Sequence, residues 1–277
     1  MNNYKLLKVA FQGERGAYSE MAVYKHFSSY AQAVPCKSFS EVFEKVEEGR
    51  VECGVVPVEN TIEGSVNQVY DLFLDYDLKV SGEIILKIQH CLVANLNADL
   101  TSIRVVYSHP QALAQCSKFL ENLECDIIPV YDTAGGAKMV KELGSNDAAA
   151  IASERAAEIY EMKILAMDVS NTQDNYTRFL VISKEDSPPS GFDKTSIIFS
   201  LKHVPGSLYK ALEEFALREI NLTKIESRPT RQRPWEYNFY LDFEGHRNDK
   251  KCGEALLSLG KKASFLKILG SYPKARL

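Results

Sequence analysis

From Leu6 to Glu154 one rhythm recurs: a short apolar run, a polar cluster, then a segment with apolar residues at helical spacing. The first instance is the apolar run ending at Gln12-Gly13, followed by Glu14–Glu20 and Met21–Phe27. Phe39, Val42, Phe43 and Val46 stand at i, i+3, i+4 and i+7, which makes one stripe of a helix. Ser38 and Glu41 have capping-box spacing at its start, and Gly49 suits its end. The run Cys53–Val58 stops at Glu59-Asn60-Thr61, and a helical pattern follows at Val66, Val69, Tyr70 and Phe73. Ile103–Tyr107 stops at Ser108-His109, where Pro110 suits a first helical turn that has no use for its missing N–H. Ile127–Tyr131 stops at Asp132-Thr133, and Ala148–Ala152 at Ser153-Glu154, each before another helix. Such alternation predicts an α/β fold with a mainly parallel sheet. Ligands of these sheets collect at the carboxyl ends of the strands. Each polar cluster here also opens a helix, where unpaired N–H groups and the helix dipole favour an anion. The expectation is a cleft for a small, negatively charged molecule.

The rhythm breaks at Lys184–Asp193, where two prolines, a glycine and charged residues disfavour regular structure. Beyond this linker the order becomes strand (Thr195–Leu201), helix (Pro205–Arg218), two strands (Leu222–Ser227 and Trp235–Phe243) around a turn at Arg228–Pro234, helix (Asp249–Lys262) and strand (Phe265–Leu269). That is βαββαβ, the ferredoxin-like pattern. The expected division is 1–184, a linker at 185–193, and 194–277.

Several classes are disfavoured. A net charge of −4 with no dense basic run argues against a nucleic-acid partner. No apolar stretch approaches the roughly 20 residues that span a bilayer, so no membrane partner is expected, and the start of the chain lacks the features of a signal peptide. The six cysteines include no C-x-x-C pair, which disfavours metal and dithiol redox sites, and a chain of this length needs no disulfide framework, which points to a reducing, cytoplasmic setting. Gly13-Glu14-Arg15-Gly16 is not a dinucleotide fingerprint, and neither a phosphate loop nor a G-x-S-x-G elbow is present. The five histidines lack metal-ligand spacing.

Four polar constellations remain, each open to two readings. Glu59-Asn60-Thr61-Ile62-Glu63-Gly64-Ser65 is either a capped helix start or a bed of donors for a carboxylate. In Ser108-His109-Pro110-Gln111, followed by Gln115 and Cys116, the two glutamines share a helix face, His109 is a cap or a functional group, and Cys116 falls in an apolar stripe. The small residues after Asp132-Thr133 suit close approach to a ligand or tight helix packing. Asn175-Tyr176-Thr177-Arg178-Phe179 enters a strand.

Taken together, these strings resemble the prephenate dehydratase family. The matches are Phe11-Gln12-Gly13 with Gly16-Ala17-Tyr18-Ser19, Pro57-Val58-Glu59-Asn60, Ser108-His109-Pro110-Gln111 and Thr177-Arg178-Phe179. The tail is similar to that family's ACT domain through Gly206-Ser207-Leu208 and Glu226-Ser227-Arg228-Pro229. The resemblance implies two α/β lobes around a cleft, like a solute-binding protein, with the segment near Thr177 returning to the first lobe. It implies a monofunctional enzyme that decarboxylates and dehydrates prephenate, needing no metal or organic cofactor. Thr177 is then the donor to the departing hydroxyl, with Arg178 a carboxylate clamp or lobe-bridging ion-pair partner and Phe179 beside them. Asn60, Ser65, Ser108, Gln115 and Thr133 orient the dianion, and Glu59 sets the local field. Relatives often carry serine where Gly136 stands. The resemblance further implies a homodimer or homotetramer paired through the C-terminal domain. Phenylalanine would bind there at Gly206, Ser207, Leu208, Asn221, Leu222, Glu226, Ser227 and Arg228. Arogenate dehydratase is the nearest alternative, and a non-catalytic anion-binding module fused to a sensor is a second.

Overall fold

Strand and helix alternate as the apolar periodicity demands, and the chain passes through three sheets. The computed structural model describes residues 6–230 and 235–276. Contacts divide it into two compact units, Met1–Tyr76 with Ile84–Leu180, and Asp77–Glu83 with Val181–Leu277.

The first unit holds two lobes. Lobe one comprises β1 (Leu7–Gln12), α1 (Tyr18–Phe27), β2 (Ala31–Cys36), α2 (Phe39–Glu47), β3 (Cys53–Asn60), β4 (Gly64–Ser65), α3 (Asn67–Asp75) and β5 (Lys79–Lys87). Lobe two comprises β6 (Cys91–Ala94), β7 (Val105–Ser108), α4 (Pro110–Gln115), α5 (Ser117–Leu123), β8 (Asp126–Pro129), α6 (Thr133–Leu143), β9 (Ala148–Ala152), α7 (Glu154–Ile159) and β10 (Lys163–Ala166). The chain then returns as β11 (Tyr176–Ser183), which slots between β3 and β5 in the order β2-β1-β3-β11-β5. The second lobe's order is β10-β6-β9-β7-β8, with β7 parallel to β8 and β9 but β6 antiparallel to β9. Its core gathers Leu92, Ile103, Val106, Leu113, Cys116 and Ile151, so the Cys116 stripe is core. β5 and β11 each contribute residues to both units.

The second unit continues with β12 (Asp193–Ser200), α8 (Ser207–Ala216), β13 (Leu222–Pro229), β14 (Tyr237–Glu244), α9 (Lys250–Lys262) and β15 (Phe265–Pro273). Its antiparallel order β13-β14-β12-β15 is the ferredoxin-like arrangement. Both helices pack one face, where Ile197, Phe199, Phe215, Leu241, Phe243 and Leu259 form the core. Each buried phenylalanine there contributes roughly 1.5–3 kcal/mol.

Local details depart from the sequence reading. Residues 59–65 form a hairpin, with Glu59 opposite Ser65 and Asn60 opposite Gly64, so the helix starts only at Asn67. Asp193 is strand and not linker: its carboxylate accepts from the backbone N–H groups of Ser190 and Gly191 and so ends the irregular stretch. β8 is an exposed edge, although its residues read as an apolar run. β15 passes Leu269 by four residues and pairs with β12 as far as Pro273 opposite Asp193, and a Cβ at Gly270 would lie 2.2 Å from the Val80 carbonyl oxygen. Part of the turn expected at Arg228–Pro234, residues 231–234, lies outside the described residues.

Candidate active site

A cleft of about 650 Å³ opens in the first unit, lined from both lobes at the ends predicted from the polar clusters. Five helices, α1, α2, α3, α4 and α6, present their N-terminal residues to it. Side chains cap three of them: Ser38 accepts from Glu41 N, His109 from Gln111 N, and Asp132 from Ala134 and Gly135 N. The starts of α1 and α3, at Ala17 and Val66, have no side-chain cap. Such starts keep N–H groups available to an anion.

Alternation along β11 puts Thr177 and Phe179 on the cleft and Arg178 on the other side. Thr177 is only 9% exposed, and its Oγ1 accepts a hydrogen bond from Asn60 Nδ2 at 2.9 Å. The same amide donates to Asn175 Oδ1 at 2.8 Å, while its own oxygen accepts from the backbone of Ile62 and Glu63. The hairpin at 59–65 thus fixes the orientation of the Asn60 amide. Asn175 Nδ2 reaches Gln115 Oε1 at 2.9 Å, and Gln115 Nε2 extends to Glu63 at 3.3 Å. Gln115 Oε1 also meets His90 Nε2 at 3.0 Å, and His90 Nδ1 meets the Tyr18 hydroxyl at 2.8 Å. Burial holds the His90 pKa below its ordinary value, and burial also pushes the Tyr18 phenol well above its own. His90 and Tyr18 are thus neutral near pH 7.

The loop Gly13-Glu14-Arg15-Gly16 is clasped by the second lobe. Asp132 Oδ2 accepts from Glu14 N, Ser153 Oγ donates to Gly16 O, and Tyr160 donates to Arg15 O. Lys138 pairs with Glu14 at 3.2 Å. Both glycines have positive φ, and a Cβ at Gly16 would lie 2.7 Å from Ala156 Cα. The motif is a lobe-to-lobe clasp. Burial raises the Asp132 pKa, while backbone N–H groups from Gly135, Glu14 and Ala134 oppose that rise. Burial lowers that of His109, against the charges of Asp132 and Glu63.

The cleft thus gathers Thr177, Phe179, Asn60, Ser65, Gln115 and Thr133. It does not gather three others. Ser108 is fully buried and donates to Ile151 O at 2.6 Å. Glu59 and Arg178 face each other at 3.8 Å on two strands of the same lobe, so the pair does not bridge lobes. Gly135 and Gly136 serve packing: a Cβ at Gly135 would strike the Tyr131 ring at 2.5 Å, and one at Gly136 would approach Tyr107 O at 3.2 Å. Sequence reasoning missed His90, and it gave Asn175 no role. The available signal was slight: a lone histidine directly before a strand, β6, whose first residue pairs with the last residue of β9.

In the second unit the regulatory strings do not all meet. Gly206 caps α8 with φ 79°, so glycine is needed there for backbone conformation and not for close approach, since a Cβ would have open space. α8 runs from the Ser200 end of the sheet back to Asn221. Register puts Arg228 opposite Asn238 and Ser200 opposite Asn238, while Leu222 faces Phe243 at the other end. Gly206, Ser207, Ser227 and Arg228 therefore share one end, and Asn221 and Leu222 lie at the other, about 17 Å along the strand. Leu208 and Leu222 pack against the core, and alternation separates Ser227 from Glu226 and Arg228.

A two-lobed α/β unit whose cleft holds a buried threonine hydroxyl, with the Asn60 amide donating to it, defines a protein that takes a small molecule. The prephenate dehydratase family matches residues 9–187. Arogenate dehydratase/prephenate dehydratase 2 of Arabidopsis thaliana is 46% identical, over 99% of this chain and 74% of its own length. The bifunctional chorismate mutase/prephenate dehydratase of Aquifex aeolicus is 47% identical, over 99% and 75%. A prephenate dehydratase from Arthrobacter aurescens, solved in complex with L-Phe, superposes with a TM-score of 0.89 at 30% identity, over 97% of this chain and 90% of that one. A structure described as GqqA, a novel type of quorum quenching acylases, gives 0.89 at 33%, over 97% and 98%. This chain belongs to the prephenate dehydratase family, whose named enzymes are lyases of aromatic amino acid biosynthesis.

Proposed function

We propose that this protein converts prephenate to phenylpyruvate and is inhibited by phenylalanine. In the reaction the bond to the ring carboxylate breaks and CO₂ leaves. Its electrons enter the ring, the ring C–O bond breaks, and the hydroxyl departs with one added proton as water. The observation that carries the reading is Thr177 Oγ1 receiving the Asn60 amide at 2.9 Å on the cleft face of β11. Because the oxygen accepts from Asn60, its own proton remains for the departing hydroxyl. A threonine is a poor acid in water, and it acts here as a positioned donor, with the proton supplied ultimately by solvent. The starts of α1 and α3, which no side chain caps, suit the substrate carboxylates, and Gln115, Ser65 and Thr133 supply polar contacts. Arg178 and Glu59 support the strands and do not grip substrate.

The C-terminal unit is an ACT-type sensor in this reading, and phenylalanine binds where two copies pair, as dimer or tetramer. The separation of Asn221 from Ser207 and Ser227 supports this, because only a second copy brings the two ends of β13 to one ligand. No helix of the described residues is long and apolar enough to cross a membrane, and all six cysteines are free thiols, which suits the cytoplasm. The test is release of phenylpyruvate from prephenate, and of phenylalanine from arogenate, with and without phenylalanine added. Prephenate turnover suppressed by phenylalanine is expected. Turnover of arogenate alone would shift the substrate, and turnover of neither would overturn the reading.

A further inference from the structure

The line of hydrogen bonds behind Thr177 has a direction that can be worked out from its fixed end. The backbone N–H groups of Ile62 and Glu63 donate to one atom of Asn60, at 2.9 and 3.0 Å, so that atom is the amide oxygen. The Asn60 nitrogen must then donate, to Asn175 Oδ1, to Thr177 Oγ1, and at 3.2 Å toward Tyr176 O. With its oxygen engaged, Asn175 donates through Nδ2 to Gln115 Oε1. That oxygen offers only lone pairs to His90 Nε2, so the 3.0 Å contact is a hydrogen bond only when Nε2 carries a proton. His90 is 3% exposed, and in that setting the neutral ring leaves Nδ1 bare. The Tyr18 hydroxyl then donates to Nδ1, sharing its proton with Gln89 O at 2.7 Å.

We infer that His90 and Asn175 are positioning residues for the reaction: they hold the Gln115 amide in one orientation and, together with the Ile62 and Glu63 N–H groups, keep the Asn60 nitrogen toward Thr177, so that Thr177 receives a hydrogen bond and keeps its own proton for the cleft. The inference rests on Thr177 acting as the donor proposed above. Were the Gln115 amide reversed, its NH₂ would confront that of Asn175. Were Asn60 also reversed, Thr177 would spend its proton on Asn60 Oδ1. Neither His90 nor Asn175 donates to Thr177, so each works through an amide.

Three variants and one spectrum test this on the full chain. His90→Phe removes the Nε2 donor and keeps a ring. His90→Gln restores an N–H at similar reach. Asn175→Asp still accepts from Asn60 but cannot donate to Gln115. His90→Phe and Asn175→Asp should lower kcat about 10- to 100-fold, with KM for prephenate changed less than about threefold. His90→Gln should recover most of the loss. A folded His90→Phe with parental kcat, or His90→Gln falling as far as His90→Phe, would overturn the inference. The ¹⁵N spectrum of the unmutated protein, with all five histidines labelled, gives a result even if no variant folds. His90 should show a protonated Nε2, and a bare Nε2 would also overturn it. If the parent does not turn over prephenate, the functional reading fails and the positioning role falls with it, whereas a wrong tautomer would leave that reading standing.

Discussion

The two units treat their motifs differently. In the first, residues 60, 90, 115, 175 and 177 meet within hydrogen-bonding distance, although they come from separate stretches of chain. In the second, the strings singled out for an effector divide between the two ends of β13, and two of their leucines turn into the core. On the proposed reading, a single chain carries a whole reaction centre but only parts of an effector site. Chemistry should survive in one copy, and regulation should need two.

The largest effect should come from Thr177→Ala. Loss of one aimed donor costs on the order of 100–1000-fold in rate, and the variant should still bind phenylalanine. Thr177→Ser should keep part of the activity. Stopped-flow assay of prephenate consumption, beside calorimetry with phenylalanine, separates the two units. Next come Gly206→Val, which places a β-branched residue at a φ of 79°, and Ser227→Trp. Each should erase an inhibition of roughly 5- to 150-fold, equivalent to a coupling of about 1–3 kcal/mol, while uninhibited turnover stays near the parent.

Mixing sharpens the contrast. Ser227→Trp and Asn221→Ala chains should each resist phenylalanine alone. Co-refolded, they should regain partial inhibition, because a mixed pair has one intact site. Failure to regain any, with mixed pairs demonstrated by mass, would place the effector site inside one chain. Sedimentation at micromolar concentration should show a dimer or larger, and a monomer that is still inhibited would break the comparison outright. The smallest expected effect is Gly16→Ala. A Cβ at φ +90° and 2.7 Å from Ala156 should lower stability by about 1–3 kcal/mol, read by thermal melting.

Much of this was readable from the residues because strand and helix are written in short-range periodicity. The Phe39–Val46 stripe, the Ser38 cap and the βαββαβ order all follow local rules. What could not be read was long-range. That residues 59–65 fold into a hairpin depends on Thr61 N reaching Tyr176 O and on Asn60 reaching Thr177, contacts across more than a hundred residues. The resemblance implied a binding hydroxyl at Ser108, but Ile151 O on the neighbouring strand takes its proton. Arg178 looked like a clamp because nothing in the sequence shows which way the pleat of β11 turns. His90 left only a slight signal, because a lone histidine just before a strand has no pattern around it.

The position of β11 also governs the order in which the protein is made. This strand lies between β3 and β5, yet it is encoded after the whole second lobe. During synthesis, β5 emerges with its place in the sheet unfilled, and the second lobe can fold before the first has closed. The segment that closes it carries Thr177. A chain halted anywhere before residue 176 therefore lacks both the closing strand of its first sheet and its donor, so activity during translation would report the moment the first lobe is finished.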